Sequence, residues 1–290
     1  MLVPGSEVLP DVIAAAALGA VPDGTPIGSA GGDQAVLYKN GCHVSWTATK
    51  PKEGCIYGDP NSDVTVVVTG DSHATAWFGA FDEAGKANHW KIVMVDKQGC
   101  PTADVTVHSA ADKSHPYVVY TACNEWRLNA IAYINSLHPT LVVFPMLSRR
   151  AVVGHPGAAA IPAWGEGLGR TIDAVRVNGT KVLVIGDTPK TNGELIPSCV
   201  AAHRKNIAPC GNTRSAAVLT ERLTMLAAAA AAHHAAYVDP SNWFCTDTFC
   251  PAVIGDSVVY RDNHHLTDRY SRYRAPQMAE AINAALTASP

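Results

Sequence analysis

The stretch Val64-Thr65-Val66-Val67-Val68-Thr69-Gly70-Asp71-Ser72-His73-Ala74 decides the fold. Its first six residues are a short β-branched apolar run, the pattern of a strand covered on both faces. Small residues follow, and a helix-like stretch, Ala74–Lys86, comes next. The same alternation repeats along the chain. Strand-like runs lie at Lys91–Val95, Leu141–Phe144, Lys181–Ile185 and Ala235–Val238. Helix-like stretches lie at Asn124–Leu137, Ala163–Val175 and Arg214–His233, and a last one, Asp268–Ala285, closes the chain. Strand alternating with helix means βαβ units and a parallel sheet. With right-handed crossovers this predicts a three-layer α/β/α sandwich around a doubly wound, five-stranded parallel sheet.

Residues 1–55 lack this alternation. They hold one short helical candidate, Leu9–Leu18, and Pro/Gly punctuation such as Pro22-Asp23-Gly24. They are expected to be an N-terminal extension or linker laid on a domain spanning 56–290. No secretory signal is visible, because the first basic residue is Lys39 and Glu7 and Asp11 precede it. Met1–Ser6 reads either as a cloning remnant or as a native start.

Composition narrows the function. The 290 residues are 47% hydrophobic and 16% charged, which suits a large buried core. A net charge of −3 without a basic run argues against nucleic acid as partner. No apolar stretch is long enough to span a membrane. The eight cysteines, Cys42, Cys55, Cys100, Cys123, Cys199, Cys210, Cys245 and Cys250, show no zinc-type spacing. About 105 pairings are possible in principle. The cysteines fall into four neighbouring couples, and the expectation is local pairing, Cys42–Cys55, Cys100–Cys123, Cys199–Cys210 and Cys245–Cys250, in an oxidising compartment. Eight buried thiols are the alternative.

In a doubly wound sheet, ligands bind at the carboxyl ends of the strands. The segments to inspect are Gly70–His73, Asp96–Cys100, Met146–Arg150 and Gly186-Asp187. Ser72 stands between a buried strand and a helix, in Gly70-x-Ser72-x-Ala74. A nucleophile on such a turn needs small neighbours, and the helix start offers N–H groups to an oxyanion. Ser72 as a mere helix cap is the competing reading. Near the other end lies Arg261-Asp262-Asn263-His264-His265-Leu266-Thr267. Asp262 and His265 are three apart, and one helical turn would let them touch. A carboxylate on imidazole Nδ1 leaves Nε2 free as a base for a serine. His73 is expected to pack over the serine turn.

Gly-Asp-Ser after the first long strand plus Asp-x-x-His before the last helix resembles the SGNH (GDSL-type) hydrolase superfamily. A narrower resemblance is to the extracytoplasmic SGNH domain fused to acyltransferase-3-type membrane proteins. It rests on Cys55-x-x-Gly58-Asp59, Gly70-Asp71-Ser72-His73-Ala74, Cys100-Pro101, Val238-Asp239-Pro240, Cys245, Cys250 and Tyr260-x-Asp262-x-x-His265-Leu266-Thr267. It runs from about residue 42 to the end, specific at the two ends and loose between.

The resemblance implies a nucleophile at Ser72, a base at His265 and an orienting acid at Asp262, with no cofactor and no metal. It implies oxyanion donors besides the Ser72 N–H. Gly99 suits one. The Asn expected after Val143 is missing, and Phe144-Pro145-Met146-Leu147-Ser148-Arg149-Arg150 stands there instead. Fused acyltransferase domains show a Ser/Ala-Arg stretch at that point, which makes Ser148 a candidate donor and Arg149 a candidate substrate contact. Arg149 facing a surface carboxylate is equally open. The activity implied is O-acyl transfer, of acetyl, to a hydroxyl of a cell-envelope glycan outside the cytoplasm. The acyl group would be relayed by an upstream membrane domain. A secreted carbohydrate esterase and a glycan-binding module with a degenerate site are the alternatives. An imidazole base predicts activity falling as pH drops through about 6.5.

Overall fold

Val66, Val67 and Val68 are all fully buried, yet they face two different cores. Val66 and Val68 join Ile92, Met94, Leu141, Val143, Leu183 and Ile185 on one side. Val67 joins Val93, Val95, Val142, Phe144, Val182 and Val184 on the other. Side chains alternate across a strand, so strands apolar at every position require a layer of helices on each face. The computed structural model describes residues 7–111, 114 and 117–288. Met1–Ser6 therefore lie outside the described residues.

The strands in chain order are β1 (His43–Val44), β2 (Ile56–Gly58), β3 (Thr65–Gly70), β4 (Lys91–Lys97), β5 (Leu141–Pro145), β6 (Lys181–Ile185), β7 (Asn212–Thr213) and β8 (Ala236–Val238). The main sheet has the order β1-β4-β3-β5-β6-β8, with β2 also on the outer edge of β4. The five expected strands form its parallel body. The sheet has seven strands and not five. β1 adds two residues in parallel and β2 three in antiparallel. Both are too short and too polar to stand out as apolar runs. The chain steps from β3 to β4 on one side and then returns to β5 on the other. The switch point, where ligands bind in such sheets, lies at the carboxyl ends of β3 and β5.

Helices Thr121–Ser136, Ala160–Val175 and Thr220–Ala232 cover one face. Helices Phe78–Asn88 and Ala275–Thr287 cover the other. The closing helix expected over Asp268–Ala285 is two helices, Asp268–Tyr273 and Ala275–Thr287, because Pro276 cannot continue the first. Among the described residues no helix is long and apolar enough to cross a membrane.

Residues 7–55 contribute side chains to the core, and strand pairing runs on both sides of position 55. Val12, Ala15, Ile27, Ala30 and Leu37 are buried in the first core. β1 and β2 flank that position and share β4, and Cys42–Cys55 links them. The other disulfides are Cys100–Cys123, Cys199–Cys210 and Cys245–Cys250, the local pairing expected, and no free cysteine remains among the described residues.

Candidate active site

The serine turn is built by its two preceding residues. A Cβ on Gly70 would stand 2.3 Å from the Pro145 carbonyl oxygen and 2.8 Å from Ala74 Cβ, so only glycine lets β3 pass the end of β5. Asp71 is extended and caps the helix Ser72–Ala76, accepting the His73 N–H at 2.9 Å. Its carboxylate also accepts the Leu147 N–H, at 3.1 Å to Oδ2. One buried acid thus ties the serine turn to the exit of β5. Ser72 is the first helical residue, whose N–H has no partner within the helix.

His265 arrives from the far end of the chain. Its Nε2 lies 2.8 Å from Ser72 Oγ, and its Nδ1 lies 2.7 Å from Asp262 Oδ2. The two do meet, but not on a helical turn. Asp262 Oδ1 accepts the N–H groups of His264 and His265, each at 2.8 Å, so the carboxylate itself folds the bend. The Arg261 N–H donates to the His265 carbonyl and closes it. Leu266 is buried and Thr267 caps the next helix, accepting the Tyr270 N–H at 3.1 Å.

His73 does pack beside the turn, and it also belongs to a second acid–imidazole pair. Its Nδ1 sits 2.9 Å from Asp187 Oδ1, with both side chains almost fully buried. Asp187 follows β6, one of the strand ends singled out in the sequence; no spacing links it to His73. Asp187 Oδ2 accepts the Ser148 N–H at 3.3 Å. The Ser148 N–H thus points to Asp187, which leaves its hydroxyl as the group that could serve as an oxyanion donor. Its hydroxyl is buried without a partner. Arg149 reaches the same buried carboxylate, at 4.0 Å, rather than a surface one.

Gly99 lies in the turn after β4, at φ +61°. A Cβ there would stand 2.2 Å from Trp46 Cη2 and 2.9 Å from Arg150 Nη1. Its N–H has no acceptor among the described residues. Arg150 stacks over Trp46 and donates to the His108 carbonyl. Trp46 and Arg150 are neighbours of Gly99 that no motif marks.

The electrostatics follow from burial and pairing. Burial pushes His265 down, the Asp262 hydrogen bond pulls it up, and His73 adds to the downward side; the net is a pKa below the usual imidazole value. Burial alone would raise Asp262, but the His265 ring and two backbone N–H groups hold it far below the carboxylate range. Burial and the neighbouring imidazoles push His264 down to about 3. Burial would lower His73, but Asp187 outweighs it and the pKa is raised. Burial would raise Asp187, yet His73, Arg149 and the Ser148 N–H hold it below the ordinary value.

A cleft of about 320 Å³ opens beside this group, lined by Leu147, Arg149, Lys190, Thr191, Asn263 and His264. A larger cavity, about 850 Å³, lies away from it, between Glu83, Arg272, Tyr273 and Pro276. The sequence shows no metal-type spacing, but the fold gathers His73, His264 and His265 within ligand reach of one another.

A parallel sheet in this order, with a serine after its first long strand and an Asp-x-x-His before its last helices, defines the SGNH class of α/β domains. The chain belongs to the SGNH domain family that occurs fused to AT3 domains, whose family model matches residues 41–280. No curated protein sequence matches the chain. Among solved structures it is similar to the periplasmic domain of a lipopolysaccharide acetyltransferase from Salmonella ser. Paratyphi A. That match has 15% identity and a TM-score of 0.63, covering 90% of this chain and 98% of that one. A putative acylhydrolase from Bacteroides fragilis matches at 14% identity and TM-score 0.44, over 82% and 91% of the two chains. A carbohydrate esterase family 2 enzyme with its carbohydrate-binding domain, from Corynascus thermopiles (Myceliophthora fergusii), matches at 13% and 0.45, over 78% and 68%. At 15% identity the first of these likenesses is one of fold.

Proposed function

We propose that this domain is a serine O-acyltransferase that passes an acetyl group through Ser72 to a hydroxyl of a cell-envelope glycan. The observation that carries the reading is the relay Ser72 Oγ–His265 Nε2–His265 Nδ1–Asp262, with contacts of 2.8 and 2.7 Å. Ser72 attacks the acyl carbonyl while His265 takes its proton, and Asp262 holds the imidazole and offsets its charge. The N–H groups of Ser72 and Gly99 donate to the oxyanion. The intermediate collapses as the leaving group takes the proton from His265. An acceptor hydroxyl then loses its proton to His265 and attacks the acyl-serine; the acyl–Oγ bond breaks, His265 returns the proton to Ser72 Oγ, and the new ester leaves.

Transfer, not simple hydrolysis, is supported by the family's fusion to AT3 domains. Such a domain, on the membrane side, would relay the acyl donor. The cleft beside His264, with Arg149 and Lys190, suits a polar acceptor such as a glycan. Four disulfides suit an oxidising, extracytoplasmic setting.

The test is acylation of the isolated chain by p-nitrophenyl acetate. The expected result is slow hydrolysis, unharmed by EDTA, with an acetyl adduct on Ser72 by peptide mass. Candidate glycans should chase the adduct faster than water does. Absence of any adduct on Ser72 overturns the enzyme reading; an adduct that no glycan accelerates overturns transfer in favour of an esterase.

A further inference from the structure

Acyl transfer uses one imidazole, but three converge beside Ser72. One ring nitrogen of each of His73, His264 and His265 lies within 4.8 Å of one from the other two. Nδ1 of each ring lies beside an oxygen. His73 Nδ1 meets Asp187 Oδ1 at 2.9 Å, His265 Nδ1 meets Asp262 Oδ2 at 2.7 Å, and His264 Nδ1 meets Asn263 Oδ1 at 2.6 Å. At His265 and His264 the acceptor on Nδ1 fixes the tautomer that offers the Nε2 lone pair, and carboxylate–histidine pairs surround metal ions. A second observation points the same way. His73 is 3% exposed, and its Nε2 is buried with no partner. Nothing in the acyl-transfer reading uses that atom.

We propose that His73, His264 and His265 form a site for a borderline transition-metal cation of the Zn²⁺ class, and that its occupancy excludes acyl transfer. The proposal rests on His265 being the base of the function proposed above. Its lone pair can go to the cation or to the serine proton, not to both. Binding forms three N–metal bonds and releases to solvent any proton held on an Nε2. A tetrahedral site with metal–nitrogen bonds of about 2.0–2.1 Å sets its ligands about 3.4 Å apart, so the rings converge by at most about 1.5 Å. His264 and His265 already stack with centroids 3.8 Å apart. Asp187 and Asp262 supply negative charge behind two of the ligands, and Arg149, 4.0 Å from Asp187, opposes it. That balance favours micromolar rather than tighter binding. His264, half-exposed on the cleft, gives the cation its way in.

The test is calorimetric titration of the EDTA-stripped, dialysed chain with ZnCl₂, with Co²⁺ absorption reporting coordination. One Zn²⁺ per chain is expected, with affinity reduced at least tenfold in His73→Gln and in His264→Gln. Ser72→Ala keeps the site and binds at least as tightly as the parent. Hydrolysis of p-nitrophenyl acetate by the parent falls along the same Zn²⁺ isotherm. His264→Gln, at a half-exposed position, decides the matter if the buried His73→Gln does not fold. No saturable binding below about 1 mM, affinity undiminished by the histidine changes, or bound Zn²⁺ that leaves turnover untouched would each overturn the proposal. A chain that binds Zn²⁺ through these histidines but never acylates Ser72 overturns the acyl-transfer reading and leaves the metal site standing. A chain that acylates Ser72 but ignores Zn²⁺ does the reverse.

Discussion

His265 Nε2 stands 2.8 Å from Ser72 Oγ, a contact between the two ends of the domain that only the folded sheet produces. If the pair acts as a unit, Ser72→Ala and His265→Ala each reduce turnover of an activated acetyl ester by about a thousandfold or more. The double variant loses little beyond either single one. Asp262→Asn costs about a hundredfold or more, less than loss of the serine or the base, because its Oδ1 can still hold the bend. His264→Ala costs less than about tenfold, because its ring nitrogen faces Asn263 and not the serine. A series in which His264→Ala is dead and His265→Ala is active overturns the assignment.

The pH profile sharpens the same assignment. A base works while neutral, and burial lowers the pKa of His265. Neutral imidazole therefore persists to lower pH than in a free histidine. The acid limb of kcat/KM, measured in EDTA-containing buffer, is expected to have its midpoint below about 6.5, the free-imidazole value. A midpoint above that value contradicts a desolvated base.

How much of this was legible in the sequence depends on distance along the chain. Ser72 is marked by a buried run ending in small residues. Asp262 and His265 are marked by their spacing, although the carboxylate and not a helix makes the bend. The disulfides join neighbours, so local pairing sufficed. The pair His73–Asp187 leaves no such trace, because β6 brings Asp187 to the turn only once the sheet has formed. The partner of the Ser148 N–H leaves no trace either, because it is that same distant acid. β1 and β2 escaped notice because their partner strand β4, rather than their own composition, makes them strands.

Asp187 holds the site together from below. It pairs with buried His73, accepts the Ser148 N–H and faces Arg149. Asp187→Asn removes the carboxylate that faces the buried His73 ring and Arg149. Breaking a buried ion pair on one side costs about 3–5 kcal/mol. Urea denaturation at neutral pH is expected to show a loss of this size, with an unchanged m-value. A loss under about 1 kcal/mol shows that the pair contributes no more than an exposed one.

Gly99 and Ser148 separate the oxyanion donors. Gly99 sits at φ +61°, where a side chain is strained, and a Cβ would drive into Trp46 at 2.2 Å. Gly99→Ala therefore moves the turn whose free N–H is the proposed second donor. Losing one oxyanion donor costs about a hundredfold to a thousandfold in kcat. The loss is expected in kcat with KM little changed, because the donor acts on charge that develops only in the transition state. The strain also lowers Tm, so the comparison is made well below the variant's melting point. Ser148→Ala keeps the N–H on Asp187 and removes a hydroxyl that has no partner. Its turnover is expected within about threefold of the parent, below one kcal/mol in the barrier. Should Ser148→Ala lose a hundredfold while Gly99→Ala stays active, the second donor belongs to the segment after β5 and not to the turn after β4.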